Sequence, residues 1–342
     1  MKASIIIPTF NRERYICQAV ESALAQTATD MEIIVVDDGS TDSTAERIRP
    51  YLDRIRYIKT ENAGPAHARN AGMRMSQGEY ISFLDSDDLY YPYKTELQAR
   101  FLDENPEVTL VYTEFSAFDD SGYWDEFHLK KYHKSCYIAA GVDYPDIFPS
   151  KIPVTQDGKN NFAYVGRIFE KYFEHILLFT NSMMFRRKVL EDVGFQNEKY
   201  WLFEELDFAL RICKHYEVGF IDLPTYKLRY HRDQISSTSK EDGLDIVIRK
   251  QSNLLEIMEN VGKEDEEFYA RRKELVNRRL AVLHKSLAIP LMCKASGAKD
   301  ARKHLQECVS YGYPLSPLWG VTFFPHLPRK IAIKLLSLLN CV

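Results

Sequence analysis

Residues 80–88 read YISFLDSDD, an apolar run that ends in three carboxylates within four residues. Two earlier stretches have the same form, since 4–12 (SIIIPTFNR) and 32–40 (EIIVVDDGS) each pass from apolar residues into hydroxyl, amide or acidic side chains. Apolar residues recur at helical spacing after the first run, which predicts a helix there. Strands that alternate with helices over short connections are typical of a parallel sheet covered by helices on both faces.

Local signals place the remaining elements of the first third of the chain. Ser43 and Glu46 fit a capping box that opens a second helix, and Pro65 and Gly78 bracket a third. Residues 55–58 form a further short apolar run that predicts a strand. The predicted fold class is therefore α/β, with a Rossmann-like, mostly parallel sheet flanked by helices.

The composition limits the class of protein. The chain has 342 residues, of which 45% are hydrophobic and 27% charged, which indicates a globular protein. A net charge of -4 gives no reason to expect a nucleic-acid partner. The six scattered cysteines form no C-x-x-C pair, so we expect reduced thiols in a cytosolic compartment. No apolar stretch is long enough for a signal peptide or a membrane span.

The three carboxylates at 85, 87 and 88 repel one another unless a cation lies among them. Oxygen ligands with open positions suit Mg²⁺ or Mn²⁺ that also binds substrate phosphates. An Asp-rich turn that caps the next helix would give the same pattern. In open sheets of this kind ligands bind beyond the carboxyl ends of the strands, so these residues mark the place to look for chemistry.

Four linked motifs carry a family resemblance. Residues 5–27 (IIIPTFNRERYICQAVESALAQT), 32–44 (EIIVVDDGSTDST), 64–72 (GPAHARNAG) and 78–88 (GEYISFLDSDD), in this order and spacing, resemble glycosyltransferase family 2, the inverting transferases of the GT-A fold. The resemblance is close over the first 113 residues and resumes from Asn181 to about Ser239.

The resemblance implies an enzyme that moves a sugar from a nucleotide-diphosphate sugar to a hydroxyl acceptor, with a divalent cation, Mn²⁺ or Mg²⁺, as cofactor. It implies a saccharide or lipid-linked acceptor and a role in bacterial cell-surface polysaccharide or glycolipid biosynthesis. We predict a catalytic domain over 1–240, divided into a nucleotide-binding half (1–113) and an acceptor-binding half (114–240) with an aromatic insertion that packs over the site. A helical region follows over 241–342.

The family's donor-site residues can be carried over to matching positions. The aspartate at position 38 would accept the imide N–H of uracil, which favours a UDP-sugar. Asp87 and His231 are the expected metal ligands, with Asp88 as a further candidate. The expected nucleotide-sugar contacts are Pro8, Thr9, Asn11, Asp38, Arg69, Asn70, Asp85, Ser86, Arg232 and Ser236.

The catalytic base is expected in residues 203–208 (FEELDF), which resemble the family's Glu-Asp motif. Glu205 stands where that motif has its catalytic aspartate, so we assign Glu205 as the base, with Glu204 and Asp207 as alternatives. Asp207 has a structural explanation, because Arg211 lies four residues later on the same predicted helix. The charge of Glu204 would raise the pKa of a buried Glu205. An acidic first helical turn favoured by the helix dipole would also account for all three carboxylates.

The carboxyl-terminal segment is basic. Residues 285–342 hold eight basic residues against two acidic ones, and 326–339 combine cations with leucines. This pattern suits contact with an anionic membrane surface, as for an enzyme at the inner face of the membrane, although a helix that packs its leucines internally reads the same.

Other functional classes fit the sequence less well. A haloacid-dehalogenase-like phosphatase would need its nucleophilic aspartate where this chain has Val36. A dinucleotide-binding enzyme would show G-x-G-x-x-G after the first strand. A catalytically inactive relative that binds nucleotide sugars remains the main alternative, because of the unusual Glu205.

Overall fold

The structure is a computed structural model with two compact units, Met1–His231 and Arg232–Val342, and each is described by itself. The residues that it describes are 1–131, 144–232, 234, 243–294 and 296–313. The predicted domain boundary at 240 lies outside them.

The first unit consists of a central sheet with helices packed against it. Its strands are β1 (Ala3–Thr9), β2 (Met31–Asp37), β3 (Arg56–Lys59), β4 (Tyr80–Phe83), β5 (Leu89–Tyr90), β6 (Val108–Asp119), β7 (Trp124–Asp125), β8 (Ser150–Gln156), β9 (Lys159–Gly166), β10 (Met184–Arg186) and β11 (Glu217–Tyr230). Its helices are α1 (Ile16–Leu24), α2 (Thr44–Ile48), α3 (Pro65–Met75), α4 (Lys94–Glu104), α5 (Tyr144–Ile147), α6 (Phe169–Glu174), α7 (Leu190–Val193) and α8 (Glu204–His215). Short 3₁₀ turns lie at Arg49–Tyr51, Thr180–Ser182 and Arg187–Val189.

The sheet has the order β3-β2-β1-β4-β10-β6-β11-β9-β8, with β5 and β7 paired at its side. The first four strands in this order run parallel, and β11 is parallel to β6. β10 joins both its neighbours antiparallel, and β8 and β9 form an antiparallel hairpin at the edge. The predicted α/β fold with a Rossmann-like sheet flanked by helices is confirmed.

The apolar runs of the sequence become strands that are buried on both faces. Ile5, Ile6 and Ile7 of β1 have no exposed surface, because helices cover both sides of this part of the sheet. Helix α3 packs so tightly on β1 that a Cβ at Gly72 would lie 2.4 Å from Cγ2 of Ile6. Polar residues are therefore displaced to the ends of these strands, where the parallel strands present them at one edge.

One local prediction was wrong. Ser43 makes no side-chain cap bond at α2, and the Oδ1 atom of Asp42 accepts the Thr44 N–H at 2.9 Å instead. The aromatic-rich insertion contains a regular element, the β8–β9 hairpin. Exposed and half-buried residues alternate along β8, as expected for an edge strand with one solvated face, and few apolar residues mark it in the sequence.

The described part of the second unit is helical, as the sequence predicted. Its helices are α9 (Gly243–Lys263), α10 (Glu266–Met292) and α11 (Ala298–Ser310). Asp265 caps α10 by accepting the Phe268 N–H at 2.9 Å. Among the described residues, no helix combines the length and apolar character needed to cross a membrane. The leucine-rich segment 326–339, for which membrane contact and internal packing were both open, lies outside them.

Candidate active site

The site begins where β1 and β2 end side by side. The Asp38 N–H donates to the Thr9 carbonyl at 2.9 Å, which extends the ladder one step beyond the strands. Asn11, in the left-handed region at φ 51°, accepts the Thr41 N–H on Oδ1 at 2.9 Å, and its own N–H donates to Oγ of Ser40 at 2.9 Å. Asn11 therefore joins the two loops, a role that its sequence position did not reveal.

The carboxylate of Asp38 organises the loop that enters α3. It accepts the N–H groups of Ala63 at 3.1 Å and Gly64 at 2.8 Å. Gly64 has φ 98°, and a Cβ there would lie 3.2 Å from Cδ1 of Trp201, so a side chain would be both strained and crowded. Asp38 thus lies beside the segment that leads into α8, as a site shared by the two motifs requires.

The hydroxyl of Thr9 is a second polar group at this edge. Its Oγ1 atom is buried and has no hydrogen-bond partner among the described residues. Buried polar atoms are nearly always paired in native proteins, so an unpaired hydroxyl at the end of a strand fits contact with a ligand. Pro8, the residue before it, is also buried in β1.

Arg69 connects three distant parts of the chain. Its NH2 group donates to Oδ1 of Asp85 at 2.7 Å and its NH1 group to Oε1 of Glu204 at 2.5 Å. Burial would lower the pKa of Arg69, but the charges of these carboxylates raise it above its usual value. The buried guanidinium of Arg69 therefore holds the acidic turn at Asp85 against α8, the helix that carries the predicted base.

Glu205 follows directly on this ion pair and lies partly buried. Burial, and after it the charge of Glu204, raises the pKa of Glu205 to about 8. Arg69 and Asp85 also act electrostatically on Glu205, which places it among the same charges. Phe203, just before the helix, has φ 68°, an uncommon backbone conformation for a bulky residue that is often found at functional sites.

Asp207 has the structural role that its spacing predicted. Its Oδ2 atom accepts from Nε and NH2 of Arg211 at 3.1 Å and 2.8 Å. Arg211 also donates to the carbonyl of Phe195 at 2.8 Å, so the pair fixes the segment before α8. The two hydrogen bonds from Arg211 therefore give Asp207 a structural role that does not involve catalysis.

Asp87 and His231, 144 residues apart, meet as the resemblance implied. Nε2 of His231 lies 3.0 Å from Oδ2 of Asp87, and Nε of Arg12 lies 3.2 Å from the same oxygen. Burial would raise the pKa of Asp87, but the hydrogen bond to His231 and the charge of Arg12 bring it below its usual value. The ring of His231 packs on Tyr15 with centroids 4.6 Å apart.

Asp87 and His231 offer two donor atoms to a divalent ion. A carboxylate oxygen and an imidazole nitrogen converge on one point, and both donor types bind Mn²⁺-like ions. Within the described ranges no three His, Cys, Asp or Glu side chains are grouped to hold a metal. A divalent ion held by Asp87 and His231 would need phosphate and water oxygens to complete its coordination.

Both carboxylate oxygens of Asp88 accept hydrogen bonds from other parts of the fold. Its Oδ1 atom accepts the Arg229 N–H at 2.8 Å and its Oδ2 atom accepts from Nδ2 of Asn181 at 2.5 Å. Burial, with the charges of Asp87 and Asp85, holds its pKa well above the usual value. Asp88 therefore anchors the turn that presents Asp87, and its role as a further metal ligand stays a prediction without geometric support.

The remaining predicted contacts fall in several places. Asn70 binds the 196–198 segment, since its Nδ2 donates to the Gln196 carbonyl at 2.9 Å and its Oδ1 accepts the Gln196 N–H at 3.0 Å. Ser86 is buried within the acidic turn. Arg232 belongs to the second unit, and Ser236 lies outside the described residues. The nucleotide-contact roles of all four stay predictions.

Sequence reasoning missed three residues that shape the site. Arg12 contacts Asp87, and its position just after the first strand-end motif was a signal that we did not use. Asn181 accepts the Asp85 N–H on Oδ1 at 2.9 Å and binds Asp88, yet a single asparagine carries no distinctive pattern. Trp201 contacts the Gly64 region, which only the folded chain reveals.

Comparisons with known proteins agree with this architecture. An uncharacterized glycosyltransferase of Rickettsia bellii (strain RML369-C) is 43% identical over 127 residues, which is 36% of this chain and 18% of that protein. Glycosyltransferase GlyA of Streptococcus pneumoniae serotype 4 is 26% identical over 286 residues, 82% of this chain and 38% of that protein. The chain thus spans less than two fifths of the length of either relative.

Solved structures show the same fold. S. aureus TarS matches with a TM-score of 0.55 at 18% identity, over 100% of this chain and 54% of that one. TarS 1–349 in complex with UDP-GlcNAc matches with a TM-score of 0.52 at 17% identity, over 91% of this chain and 92% of that one. The model of the glycosyl transferase family 2 matches residues 4–194, more than half of the chain. With this match, and with three of the motifs at the ends of the parallel strands β1, β2 and β4, the chain belongs to glycosyl transferase family 2.

Proposed function

We propose that this protein transfers a sugar from a UDP-sugar to a hydroxyl acceptor with inversion, with Glu205 as the base and a divalent cation at Asp87 and His231. The observation that carries the proposal is the bridge of Arg69 from Asp85 to Glu204. It brings the turn that would face the donor against the helix that carries the predicted base. Family membership and a fold shared with a UDP-GlcNAc complex of TarS support a nucleotide-sugar donor.

The uridine preference follows from Asp38. Its carboxylate accepts two backbone N–H groups and, at 3.4 Å, the Thr60 hydroxyl, which leaves one of its four lone pairs for the imide N–H of uracil. Guanine would present an N1–H and an amino group to the same carboxylate, whereas thymine has the same imide N–H as uracil and differs from it by a C5 methyl group. Thr9 lies at the adjacent strand end and would contact the nucleotide with its hydroxyl, which no described residue hydrogen-bonds.

The leaving group and the acceptor make separate demands on the site. When bound, the cation would neutralise the charge that develops on the departing diphosphate. Arg12 and His231 hold the Asp87 carboxylate in one orientation for this purpose. Glu205 would remove the proton of the acceptor hydroxyl as it attacks, and a carboxylate with a raised pKa is a stronger base than a free one.

Release of UDP tests the function directly. We would incubate the protein with UDP-GlcNAc, UDP-glucose and UDP-galactose, each with Mn²⁺ and with EDTA, and measure UDP. With water as the acceptor of the sugar, release from one of them with Mn²⁺, lost in EDTA, is expected, and NMR recorded before the released sugar mutarotates would show the β anomer, inverted from the α-linked donor. Metal-dependent binding of all three without release would favour the inactive, sugar-nucleotide-binding alternative. A retained anomeric configuration would contradict the proposed base.

The reaction rate should depend on pH through Glu205. Its pKa of about 8 means that the carboxyl is protonated at neutral pH, whereas a base must be deprotonated. The rate constant kcat/KM is therefore expected to rise about tenfold per pH unit below pH 8 and to level off above it. UDP release between pH 6 and 9.5 would measure this, and a profile that falls over this range would contradict Glu205 as the base.

A further inference from the structure

Asp125, His128 and Tyr230 form a chain of hydrogen bonds, called the relay below, that lies outside the donor site on three elements of the first unit. Asp125 is in β7, which pairs with β6, and Tyr230 is the last residue of β11, on the other side of β6. His128 follows β7 in a helical turn at 128–131. Glu114 of β6 fixes this turn by accepting the N–H groups of Leu129 at 2.5 Å and Lys130 at 3.1 Å.

Two hydrogen bonds join the three side chains of the relay. Oδ2 of Asp125 lies 3.0 Å from Nδ1 of His128, and Nε2 of His128 lies 2.8 Å from the hydroxyl of Tyr230. A carboxylate can only accept, so Nδ1 of His128 donates to Asp125, and Nε2 and the Tyr230 hydroxyl share the second hydrogen bond. Lys131 also donates to Oδ2 of Asp125 at 3.0 Å. The orientation of Tyr230 is thus set by a buried histidine.

Tyr230 immediately precedes His231, the residue that contacts Asp87. The rings of Tyr230 and His128 have centroids 5.7 Å apart in an edge-to-face arrangement, and Tyr123 packs on Tyr230 at 6.2 Å. On its other side His231 packs against Tyr15. Ring contacts on both sides therefore hold the backbone at 230–231 in place. The contacts on one side come from the segment 123–131.

We propose that Asp125, His128 and Tyr230 are positioning residues that hold His231 toward Asp87 and so couple the 123–131 segment to binding of the donor diphosphate. The inference depends on the proposed function, because it assigns His231 to the metal. Partners that orient a metal ligand typically contribute tenfold to hundredfold in metal affinity or activity when they contact it directly. Here the coupling passes through one peptide unit, so the lower end of that range is expected.

The test is UDP binding by calorimetry, with Mn²⁺ and with EDTA, to the full chain. His128→Phe and Tyr230→Phe are each expected to weaken binding about tenfold with Mn²⁺ and to leave binding in EDTA unchanged. A general loss of folding would weaken binding in both conditions. Tyr230→Phe keeps the ring and its packing, so it serves if His128→Phe does not fold.

The double variant distinguishes a relay from two independent effects. Because both substitutions break the same hydrogen bond, His128→Phe with Tyr230→Phe should bind UDP with Mn²⁺ no more weakly than either single variant. The control is Tyr51→Phe, which removes a hydroxyl that donates to Oε1 of Glu21 at 2.7 Å outside the relay, and which should bind like wild type.

The outcomes separate the two proposals. If the wild-type chain shows no Mn²⁺-dependent UDP binding, the proposed function fails and the relay has nothing to position. Normal wild-type binding with unchanged affinity in Tyr230→Phe and His128→Phe would overturn the relay alone. Effects that add in the double variant, or that are equal with Mn²⁺ and EDTA, would overturn it too.

Discussion

Replacing Glu205 with glutamine is expected to lower kcat by about 10²–10⁴-fold while UDP binding with Mn²⁺ stays close to that of wild type. Glutamine has nearly the same shape but cannot take a proton from the acceptor hydroxyl. The variant should fold, because burial raises the pKa of Glu205 to about 8 and its charge does not favour the folded state. UDP release under saturating donor measures kcat, and calorimetry measures binding.

Matched controls are available on the same helix. Asp207→Asn removes a carboxylate whose structure-based role is to hold Arg211, so we expect near-normal kcat with a small loss of stability. Full activity of Glu205→Gln combined with a large loss in Asp207→Asn would transfer the role of base to Asp207. A loss in Glu204→Gln alone would transfer it to Glu204.

Replacing Arg69 with methionine is expected to reduce the free energy of unfolding by about 3–5 kcal/mol, the usual effect of removing one partner of a buried ion pair. Arg69 is the shared cation of Asp85 and Glu204, and without it their carboxylates lie together with Glu205 near the same point. Chemical denaturation at pH 7 measures the change. UDP release should be lost as well, because α8 is no longer held against the acidic turn.

The effect of Arg69→Met should depend on pH. Burial already raises the pKa of Glu204, and loss of the guanidinium would raise it further. A carboxyl whose pKa is higher in the folded state binds more protons there, so stability falls as pH rises toward the folded pKa. The variant should therefore be less impaired at pH 5 than at pH 8. Arg74→Met, on the same helix but half-exposed and 3.8 Å from Glu198, should change stability by less than about 1 kcal/mol.

Equal destabilisation by the two arginine substitutions would contradict the bridge. A smaller loss at pH 8 than at pH 5 would contradict the assigned direction of the carboxyl pKa shifts. Arg69→Lys is a further check, since one ammonium cannot reach both carboxylates in the forked geometry of a guanidinium. It should restore stability only in part.

Much of the first half of the fold could be predicted from sequence because its signals are local. Fully buried parallel strands produce continuous apolar runs, and the residues that follow them must be polar because they leave the core. Strands β1, β2 and β4 therefore appeared with their functional ends attached. The pairing of Asp207 with Arg211 was predictable for the same reason, since four residues on one helix determine the contact.

Contacts between distant segments could not be predicted from residues alone. The meeting of Asp87 with His231 was predicted only through the family resemblance, and nothing in the local sequence of His231 marks a ligand. Asp88 resembled Asp87 in sequence, yet the fold occupies both its oxygens with Asn181 and Arg229. Which of two adjacent carboxylates faces the site is set by the register of β11, which is a tertiary property.

Calorimetric titration of UDP with Mn²⁺ and with EDTA shows whether Asp87 binds a cation that holds the donor diphosphate. Wild type should bind UDP more tightly with Mn²⁺ than with EDTA, and Asp87→Asn should bind it equally in both conditions. The control is Asp120→Asn, which removes a mostly exposed carboxylate that pairs with Arg229 and should behave like wild type. Retention of the full Mn²⁺-dependent gain in Asp87→Asn would contradict the account.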